Sequence, residues 1–583
     1  MLDIQFWTVV FCLVFLITSL IFEWFKPPIT FLLVVSIVSL SGVYAPQEVL
    51  HLIANEQIAV ILMLMVLGNI MRRSVLIDMM FKSVFKDDIG SRGFLSRLYL
   101  LVGGLSAFFN NTPLVAILIP HVSQWGKRNK ISPSKILLPL SYASVIGGGI
   151  TLIGTSANLI VDKLYQDNGG EGFLLFDFAY FGIPLFIVGF IYVLFAGKFL
   201  KDRVPFQQSL QRRDYFVETR VKSRSDIIGK SVEEAELRNL KDLYLVEIIR
   251  RDRIISPVSR DEEIMEGDLL MFAGDTEKVL DFLANHEDIE LVNDTGLVES
   301  KQEVVEVVVP YTSSLVGKKI KDSNFRAKFD AAIIGVRRNG EKVNGKIGSL
   351  VTKRGDMFLC VTGKDFDVRV DRANELYIIS KIQQINNIGV KASLVVLSSM
   401  ALSMVLAGLN ILSLFNSIIL MLTIIAASKL VPFEEIRRSF NYNFLLVGGG
   451  ALVFGSAMKD TGVAEFLANN MLNVFTGLGD VGTLVGLFLV TNLLASFMTN
   501  IAAIAIVYPI AVFITQQMGI DLYLTSMVIA FGGSKIFLTP IGYQTNLMVF
   551  GPGGYKTVDY LRYGAPLLLL ITAVIFGLCL YFI

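Results

Sequence analysis

The stretch that decides the fold is Ser106–Pro120, with the sequence SAFFNNTPLVAILIP. It is an apolar run interrupted in its middle by Asn110, Asn111, Thr112 and Pro113. Neighbouring apolar segments are long enough to cross a bilayer, so these polar residues would lie inside the membrane. Polar side chains and a backbone broken by proline are costly there unless they face protein, water or a ligand. The stretch therefore predicts a re-entrant helix hairpin with its tip inside the membrane.

A second stretch of the same kind is Ser496–Val512, SFMTNIAAIAIVYPIAV, near the other end of the chain. Asn111 and Asn500 are 389 residues apart, and Gly154 and Gly542 are 388 residues apart. Two motifs that keep nearly one separation predict two copies of one unit, the alternative being chance similarity between apolar helices. Interrupted apolar segments at matching places of two halves indicate the binding site of a membrane transporter.

The composition is that of a membrane protein. Of the 583 residues, 53% are hydrophobic and 18% are charged, and the mean hydropathy is +0.60. These values exclude an ordinary soluble domain. The formal net charge of +1 gives no indication of nucleic-acid binding. The three cysteines and three histidines are scattered, so neither a disulfide framework nor a metal cluster is expected, and no nucleophile–base constellation indicates an enzyme.

The order of apolar and charged segments predicts a polytopic α-helical membrane protein built as an inverted repeat. Each half has about five spans and one re-entrant hairpin, and two small α+β domains lie between the halves. An odd number of spans turns the second half upside down, so that the two hairpin tips can meet near the middle of the membrane. The predicted parts are 1–203, the first membrane repeat (hairpin 95–126, broken helix 135–162); 204–295 and 296–387, the two small domains; and 388–583, the second membrane repeat (hairpin 480–518, broken helix 521–551).

The two small domains are predicted from an internal repeat with an offset of 88 residues. Gly229-Lys230 corresponds to Gly317-Lys318, and Gly267-Asp268 corresponds to Gly355-Asp356. In each copy an alternating run precedes the Gly-Asp turn, and an apolar run follows it. This pattern is typical of strands in a small α+β domain.

Basic residues predict the orientation in the membrane. Five spans and one hairpin per half bring the basic loops to one side, which is then the cytoplasm. The chain is expected to be a multi-pass protein of the cell (inner) membrane, with residues 204–387 in the cytoplasm and both termini outside. The basic residues are Arg72, Arg73, Lys127, Arg128, Lys130, Lys198, Lys201, Arg203, Arg437 and Arg438.

The interrupted segments offer two kinds of ligand group. Each hairpin tip has a helix N-terminus with free N–H groups and neutral donors from Asn and Thr, which suits an anion. The breaks with glycines, such as Gly147-Gly148-Gly149, expose backbone carbonyls that suit a small cation such as Na⁺. The motifs contain no pair of carboxylates, so a cation/proton antiporter is less natural. A structural role for Asn111 and Asn500, as amides that bond their own backbone, stays open.

These motifs resemble the divalent-anion:sodium symporter family, whose hallmark is a Ser-Asn-Thr motif at each hairpin tip. Asn110-Asn111-Thr112 matches the second and third positions, and Thr499-Asn500-Ile501 keeps the Asn, with Thr for Ser. The stretches GTSANLIV (Gly154–Val161) and TPIGYQTNLMVFGPGGY (Thr539–Tyr555) are similar to the branch that includes sulfate permeases with cytoplasmic domains. The resemblance implies a homodimer in the lipid bilayer that moves sulfate or a di- or tricarboxylate, coupled to Na⁺, by an elevator motion. Ile501 in place of Thr favours a smaller oxyanion over a dicarboxylate.

The motifs also give the expected site residues. The anion is expected to bind to the hairpin tips and to the second arms of the broken helices, at Asn110, Asn111, Thr112, Thr499, Asn500, Thr155, Asn158, Thr545 and Asn546. The sodium ions are expected at the hairpins and breaks, at Ser106, Asn111 and Gly149 in the first half and at Ser496, Asn500 and Thr539 in the second.

The small domains resemble the C-terminal ligand-sensing domains of potassium-transport regulators, known as RCK-C. The resemblance implies regulation of the membrane part through these domains, with a cyclic dinucleotide as one ligand that such domains bind. Gly229-Lys230-Ser231 lacks the preceding glycine of a P-loop at the required spacing. A dimerisation or trafficking module without a ligand is the alternative.

Lys535, in FGGSKIFLTP, departs from the likeness of the two halves, because its counterpart at an offset of 388 is Gly147. A lysine inside a membrane segment is costly and typically functional. Its ammonium would take the place of the second sodium or balance the charge of the anion, and we expect weakened sodium coupling at that half-site. The alternative is a side chain that extends to the membrane interface.

Two other functions stay open. The RCK-C resemblance suggests a cation transporter or antiporter. Against it, the acidic residues near the membrane segments are expected at segment ends, namely Asp162, Asp460, Glu465 and Asp480. The second alternative is a membrane sensor that binds a solute, reports through the small domains and moves no substrate.

Overall fold

The computed structural model describes most of the chain, but the three predicted domain boundaries, at 203/204, 295/296 and 387/388, lie outside the described residues. So do Arg72, Arg73, Arg203 and Arg438, on which part of the predicted orientation rests. The described residues are 2–22, 24–71, 74–84, 90–202, 214–223, 225–237, 243–250, 253–255, 258–275, 289–291, 304–310, 313–338, 341–343, 347–363, 365–373, 375–378, 389–431, 437, 440 and 442–583.

The first part of the chain is helical. Apolar segments form helices because every backbone N–H and C=O group then has a partner inside its own segment, which is the requirement in a lipid environment. The helices are α1 Leu2–Ile21, α2 Pro27–Leu40, α3 Pro46–Ile53, α4 Glu56–Met71, α5 Val75–Val84, α6 Ser91–Ser106, α7 Asn111–Arg128, α8 Leu137–Gly147, α9 Ser156–Asp167 and α10 Ala179–Phe195.

The middle part contains two sheets, each with five described strands. The first sheet consists of β1 Asp214–Val221, β2 Leu243–Arg250, β3 Arg253–Ile255, β4 Leu269–Asp275 and β5 Ile289–Leu291. The second consists of β6 Val304–Val308, β7 Ala331–Arg338, β8 Glu341–Lys342, β9 Met357–Thr362 and β10 Tyr377–Ile378, with the short helices α11 Phe325–Phe329 and α12 Phe366–Ala373.

The last part of the chain is helical again. Its helices are α13 Val390–Gly408, α14 Leu414–Ala427, α15 Tyr442–Asp460, α16 Val463–Thr476, α17 Gly479–Phe497, α18 Asn500–Met518, α19 Leu522–Ser534, α20 Gln544–Phe550 and α21 Thr557–Phe582. Hydropathy alone does not reveal α16 or the first turns of α21. Both segments combine apolar with polar residues, which weakens the hydropathy signal at a helix end.

Among the described residues, five helices have the length and the hydropathy to cross a bilayer, namely α1, α13, α17, α18 and α21. The pair α3 and α4, bent by 46°, passes the same criterion when taken together, and α2, α10, α14 and α19 are shorter apolar helices. The fold is therefore that of a multi-pass membrane protein.

The interrupted segments lie at the centre of the helical part. The first stretch forms α6 and α7 around a turn at Ala107–Asn110, and its repeat forms α17 and α18 around Met498 and Thr499. The segments with glycines form two further pairs, α8 with α9 and α19 with α20. All eleven residues of α8 are buried, as are eleven of the thirteen residues of α19.

Asp162, expected at the end of a segment, lies inside α9, which continues to Asp167. It is 5% exposed. Its carboxylate accepts hydrogen bonds from the backbone N–H of Phe173 at 2.7 Å and from the side chains of Gln166 at 3.1 Å and Gln57 at 3.4 Å. The sequence pattern did not predict that α9 continues beyond Asp162. The polar residues that follow Asp162 resemble a loop when their hydrogen-bond partners are unknown.

The two sheets have the same strand order, β3-β2-β4-β1-β5 in the first and β8-β7-β9-β6-β10 in the second. In each Gly-Asp turn, the buried aspartate accepts two hydrogen bonds from an arginine. Arg250 donates to Asp268 at 2.9 and 2.8 Å. Arg338 donates to Asp356 at 2.7 and 2.8 Å. These hydrogen bonds raise the pKa of both guanidinium groups. The two Arg–Asp pairs occupy equivalent positions of the repeat, 88 residues apart.

The second sheet packs against the helical part. On β6, Val305 and Val307 lie in the core of the sheet's own domain, whereas Val308 belongs to the hydrophobic core of the helices. Met357 and Leu359 of β9 join Val308 in that core. Since side chains alternate between the faces of a strand, one face of this sheet packs into the core of its own domain and the other packs against the helices.

Close helix packing at the breaks predicts a strong effect of one methyl group. A Cβ added to Gly147 of α8 would overlap the backbone of Gly103 in α6, and a backbone cannot rotate away. Gly147→Ala should therefore cost about 1–3 kcal/mol, the usual range for overpacking, and lower the melting temperature of the detergent-solubilised protein. A Cβ on Gly104 meets no atom within 4 Å, so Gly104→Ala is the matched control. Equal melting temperatures for both variants would contradict this packing.

Candidate functional site

The helix ends of the interrupted segments surround one cavity. Its volume is about 290 Å³, which is the size of a site for a small molecule. The polar residues at the helix ends that line it are Asn110, Thr112, Gly154, Thr155, Ser156, Thr499, Asn500, Gly542, Tyr543 and Gln544.

Three helices of at least twelve residues point their N-termini at this cavity. Asn110 is the N-cap of α7 and accepts a hydrogen bond from the N–H of Thr112 at 3.2 Å. Thr499 is the N-cap of α18 and accepts from the N–H of Ala502 at 3.3 Å, and Thr155 caps α9. The N-terminal ends of these helices carry partial positive charge, so the cavity favours a negatively charged ligand.

The structure brings five of the nine predicted anion ligands to the cavity wall, and these are Asn110, Thr112, Thr155, Thr499 and Asn500. Asn111 lies just behind the wall and is 2% exposed. Its amide donates to the hydroxyl of Tyr543 at 2.6 Å and its carbonyl oxygen accepts from Ser106. Tyr543 itself lines the cavity, so it lies between Asn111 and the cavity.

Asn158, Thr545 and Asn546 do not line the cavity. Asn158 donates to the carbonyl of Thr151 at 2.9 Å, and Asn546 donates to the carbonyl of Ile536 at 2.9 Å. The hydroxyl of Ser141 donates to Asn546 at 2.7 Å and bonds Thr545 at 2.9 Å. In place of a ligand, these side chains satisfy the backbone and side-chain groups of the two breaks, because a helix that ends inside the protein leaves carbonyls without partners.

The expected sodium ligands of the first half are brought together in part. Ser106 bonds the side chain of Asn111 and donates to the carbonyl of Ser144 at 2.8 Å. Gly148 lies against the Asn111 amide, since a Cβ there would be 2.9 Å from its oxygen. Gly149 lies beside the ammonium of Lys535, which a Cβ built on Gly149 would overlap. The oxygens that converge at this break are those a sodium ion prefers.

In the second half, the hydroxyl of Thr539 donates to the carbonyl of Ser496 at 2.6 Å, while Asn500 lies at the cavity wall. The sequence analysis missed Asn492, whose amide donates to the carbonyls of Gly532 at 3.1 Å and Lys535 at 2.7 Å. Its side-chain oxygen is buried and has no hydrogen-bond partner among the described residues. An Asn within the apolar run LFLVTNLLASF was the signal that could have identified it.

Lys535 is fully buried, so the alternative of a side chain that extends to the interface is wrong. Its ammonium donates to the carbonyl of Val145 at 2.8 Å and lies 5.2 Å from the centre of the Phe531 ring. Val145 belongs to the last turn of α8, so the ammonium satisfies a carbonyl at the negative end of a helix from the first half. From its position in the sequence this charge was expected at the second half-site, because no local pattern predicts a contact between residues 390 positions apart.

The charged residues among the described cavity lining are Lys26 and Arg354. Lys26 lies between α1 and α2, and Arg354 lies in the turn before β9 of the second sheet. The sequence did not predict either residue at the site, because both belong to segments far from the hairpins in sequence. With two cations and neutral donors, the cavity wall suits a divalent anion.

The membrane-length helices and the anion-favouring cavity are typical of a multi-pass membrane transporter. The chain belongs to the citrate transporter family, whose family model matches residues 17–424 and 404–583.

The relatives extend over most of the chain. An uncharacterised transporter of Synechocystis sp. is 30% identical over 96% of this chain and 94% of its own. A Chlamydomonas reinhardtii protein provisionally named a sulfur deprivation response regulator is 34% identical over 83% of this chain and 86% of its own. Sodium/sulfate cotransporter 2 of the same alga is 23% identical over 81% and 77%.

The contact of Lys535 with Val145 predicts that Lys535→Met lowers the melting temperature in a sodium-free choline buffer. The variant leaves a buried carbonyl without its partner, at a cost of about 1–3 kcal/mol. If the ammonium stands in for a cation, Na⁺ should stabilise this variant more than the wild type, because a ligand of the folded state raises stability. Lys391→Met, at an exposed lysine of α13, is the control. A sodium response equal to that of the wild type would contradict the substitution of an ion by this side chain.

Proposed function

We propose that this protein is a secondary active transporter of a divalent or small oxyanion, coupled to sodium. The observation that carries the proposal is the cavity itself, where N-termini of α7, α9 and α18 meet and the charged residues of the described lining are cations. Helix N-termini and neutral Asn and Thr donors bind an anion without a fixed charge at the middle of the membrane, where a charge is most costly.

The substrate that fits best is sulfate, with di- and tricarboxylates as the related alternatives. Ile501 lines the cavity at a position where the family motif has a hydroxyl. This apolar side chain removes one donor from the second tip, and a compact oxyanion needs fewer donors than an extended carboxylate. The relatives named sodium/sulfate cotransporters support this choice.

Sodium would be held by the oxygens at the two breaks. Ser106, Asn111 and the carbonyl of Ser144 supply the first set, and Thr539, Asn492 and the carbonyl of Ser496 supply the second. An ion beside each helix N-terminus would lower the cost of the anion's charge, and this mutual stabilisation is the physical basis of coupling. The Lys535 side chain already donates to a carbonyl at the first break, so in its charged form it would take the place of an ion there and fewer ions would be needed.

We also propose that the movement is of the elevator type in a homodimer. The hairpins and broken helices pack around the buried α8 and α19 and would move as one body, while the first helices of each half remain as a scaffold.

The two sheets would lie in the cytoplasm and regulate the movement. Binding of a cyclic dinucleotide to them is a prediction that calorimetric titration of the full chain tests.

A sensor without flux is the second candidate. The relative named as a sulfur deprivation response regulator supports it, as does the contact of the second sheet with the helices around the cavity. A cation antiporter is less well supported, because the charged residues of the described cavity lining are positive.

Uptake into proteoliposomes separates these functions. The full chain is tested with sulfate, succinate, citrate and phosphate, each with and without a sodium gradient. The proposal requires sodium-dependent uptake of at least one divalent anion, with sulfate first. Anion binding without any uptake would identify the sensor. If the protein showed no binding and no uptake of any of these anions, the proposal would be refuted.

Asn500 provides the variant that tests the site. Asn500→Ala removes a donor at the cavity wall without changing the N-cap of α18, which is Thr499. Loss of one hydrogen bond to a charged ligand is worth about 1.5–3 kcal/mol, so the apparent affinity for the anion should fall about 10- to 100-fold. Asn470→Ala, at an exposed amide that bonds the carbonyl of Phe466 in its own helix, should transport as the wild type does. Equal anion affinities for the two variants would exclude Asn500 from the site.

A further inference from the structure

The second sheet does more than touch the helices, because two of its domain's residues line the central cavity. Ser314 and Arg354 belong to the segment 304–378, which we call the second soluble domain, and both contribute to the cavity wall. Arg354 is half-buried there. The wall of the cavity is therefore completed by a domain that lies outside the helical bundle.

The second soluble domain is held over the cavity by contacts with two different groups of helices. Tyr377 accepts a hydrogen bond from Gln544 of α20 at 3.3 Å, and a Cβ on Gly355 would lie 2.6 Å from the side chain of Leu547. On the other side, Lys26, between α1 and α2, donates to the carbonyl of Ser313 at 2.9 Å. The domain thus bridges the start of the chain and the second broken helix.

The first soluble repeat shows that the fold does not require Arg354. At an offset of 88 residues, the residue before the Gly-Asp turn is Glu266, which is exposed. The turn is otherwise the same, with φ of +78° at Gly267 and +76° at Gly355. Opposite charges at one position of the same turn mean that the turn itself selects neither charge.

The sheet face that packs against the helices, formed by Val308, Met357 and Leu359, also differs between the two repeats. Val308, which packs among the helices, corresponds to the exposed Arg220 of the first repeat. Both residues occupy the same register, because Val308 pairs with Met357 and Arg220 pairs with Leu269. The other two docking positions are apolar in both repeats, since Met357 and Leu359 correspond to Leu269 and Met271. Among the described residues the difference therefore lies at Val308 and at the cation Arg354.

We infer that Arg354 is an anion-binding residue of the transport pathway, supplied by the second soluble domain at the mouth of the cavity. The inference rests on the proposed function and adds a ligand to its site. A guanidinium can donate two parallel hydrogen bonds to two oxygens of a sulfate or carboxylate, which neutral Asn and Thr donors cannot match in charge. When the domain moves off the helices, the cavity loses this cation, so the position of the domain sets the anion affinity.

The test is anion binding and uptake by the full chain with Arg354→Gln, compared with Lys353→Gln. Lys353 is the exposed neighbour in the same turn and does not line the cavity, so the control has the same charge change. Arg354→Gln should weaken sulfate binding about 10- to 100-fold, as expected for loss of a charged hydrogen bond. Arg354→Lys should recover part of the affinity, and Lys353→Gln should bind sulfate as the wild type does.

A charge-rescue measurement keeps the test independent of folding defects. The three native cysteines are buried, so Arg354→Cys can be modified selectively. Modification with a reagent that adds an ammonium group should restore sulfate affinity, modification with one that adds a sulfonate should not, and sulfate should slow both reactions. A purely structural role for Arg354 would not depend on the sign of the added charge.

The outcomes are distinct. If the wild type neither binds nor transports any of the anions, the proposed function and the role of Arg354 fail together. If the wild type binds sulfate and Arg354→Gln binds it equally well, only the role of Arg354 is overturned. Equal losses in Arg354→Gln and Lys353→Gln, or a rescue by either sign of charge, would also overturn it.

Discussion

The structure depends on one constraint, which is that helices ending inside the membrane leave backbone carbonyls that need partners. At the two breaks, four side chains meet this need, two from other parts of the fold and two from the breaks themselves. The ammonium of Lys535 bonds Val145, and the amide of Asn492 bonds Gly532 and Lys535. Asn158 and Asn546 do the same within their own breaks. Because these carbonyls are satisfied, the chain can keep its polar helix ends at the centre of an apolar bundle.

The cost of polar groups inside the membrane also explains where neutral and charged groups lie around the cavity. At the helix tips the wall carries neutral groups, such as Asn110 and Thr499, and partial charges of helix N-termini. The full charges come from Lys26 and Arg354, which lie in a loop between helices and in a soluble domain. A charge at the middle of a membrane is expensive, whereas Lys26 and Arg354 are only partly buried and still line the cavity.

The two sheets show how one fold can carry two different surfaces. Both sheets keep the Arg–Asp pair and the strand order, and these features stabilise each domain. They differ at the surface, where Arg220 and Glu266 of the first repeat become Val308 and Arg354 of the second. Changes outside the core leave the fold intact, so a surface can become a docking face without loss of the domain.

The sequence by itself determined the membrane class, the interrupted segments and the duplicated sheets. These depend on hydropathy and on local breaks such as Asn110–Pro113, and such signals lie within a few residues of each other. Only the tertiary structure decided which polar groups reach the cavity. Asn111, Asn158 and Asn546 turn to partners inside the protein, while Tyr543, Lys26 and Arg354 come from distant segments. The direction of a side chain and the contact of segments hundreds of residues apart follow from packing, which no local pattern records.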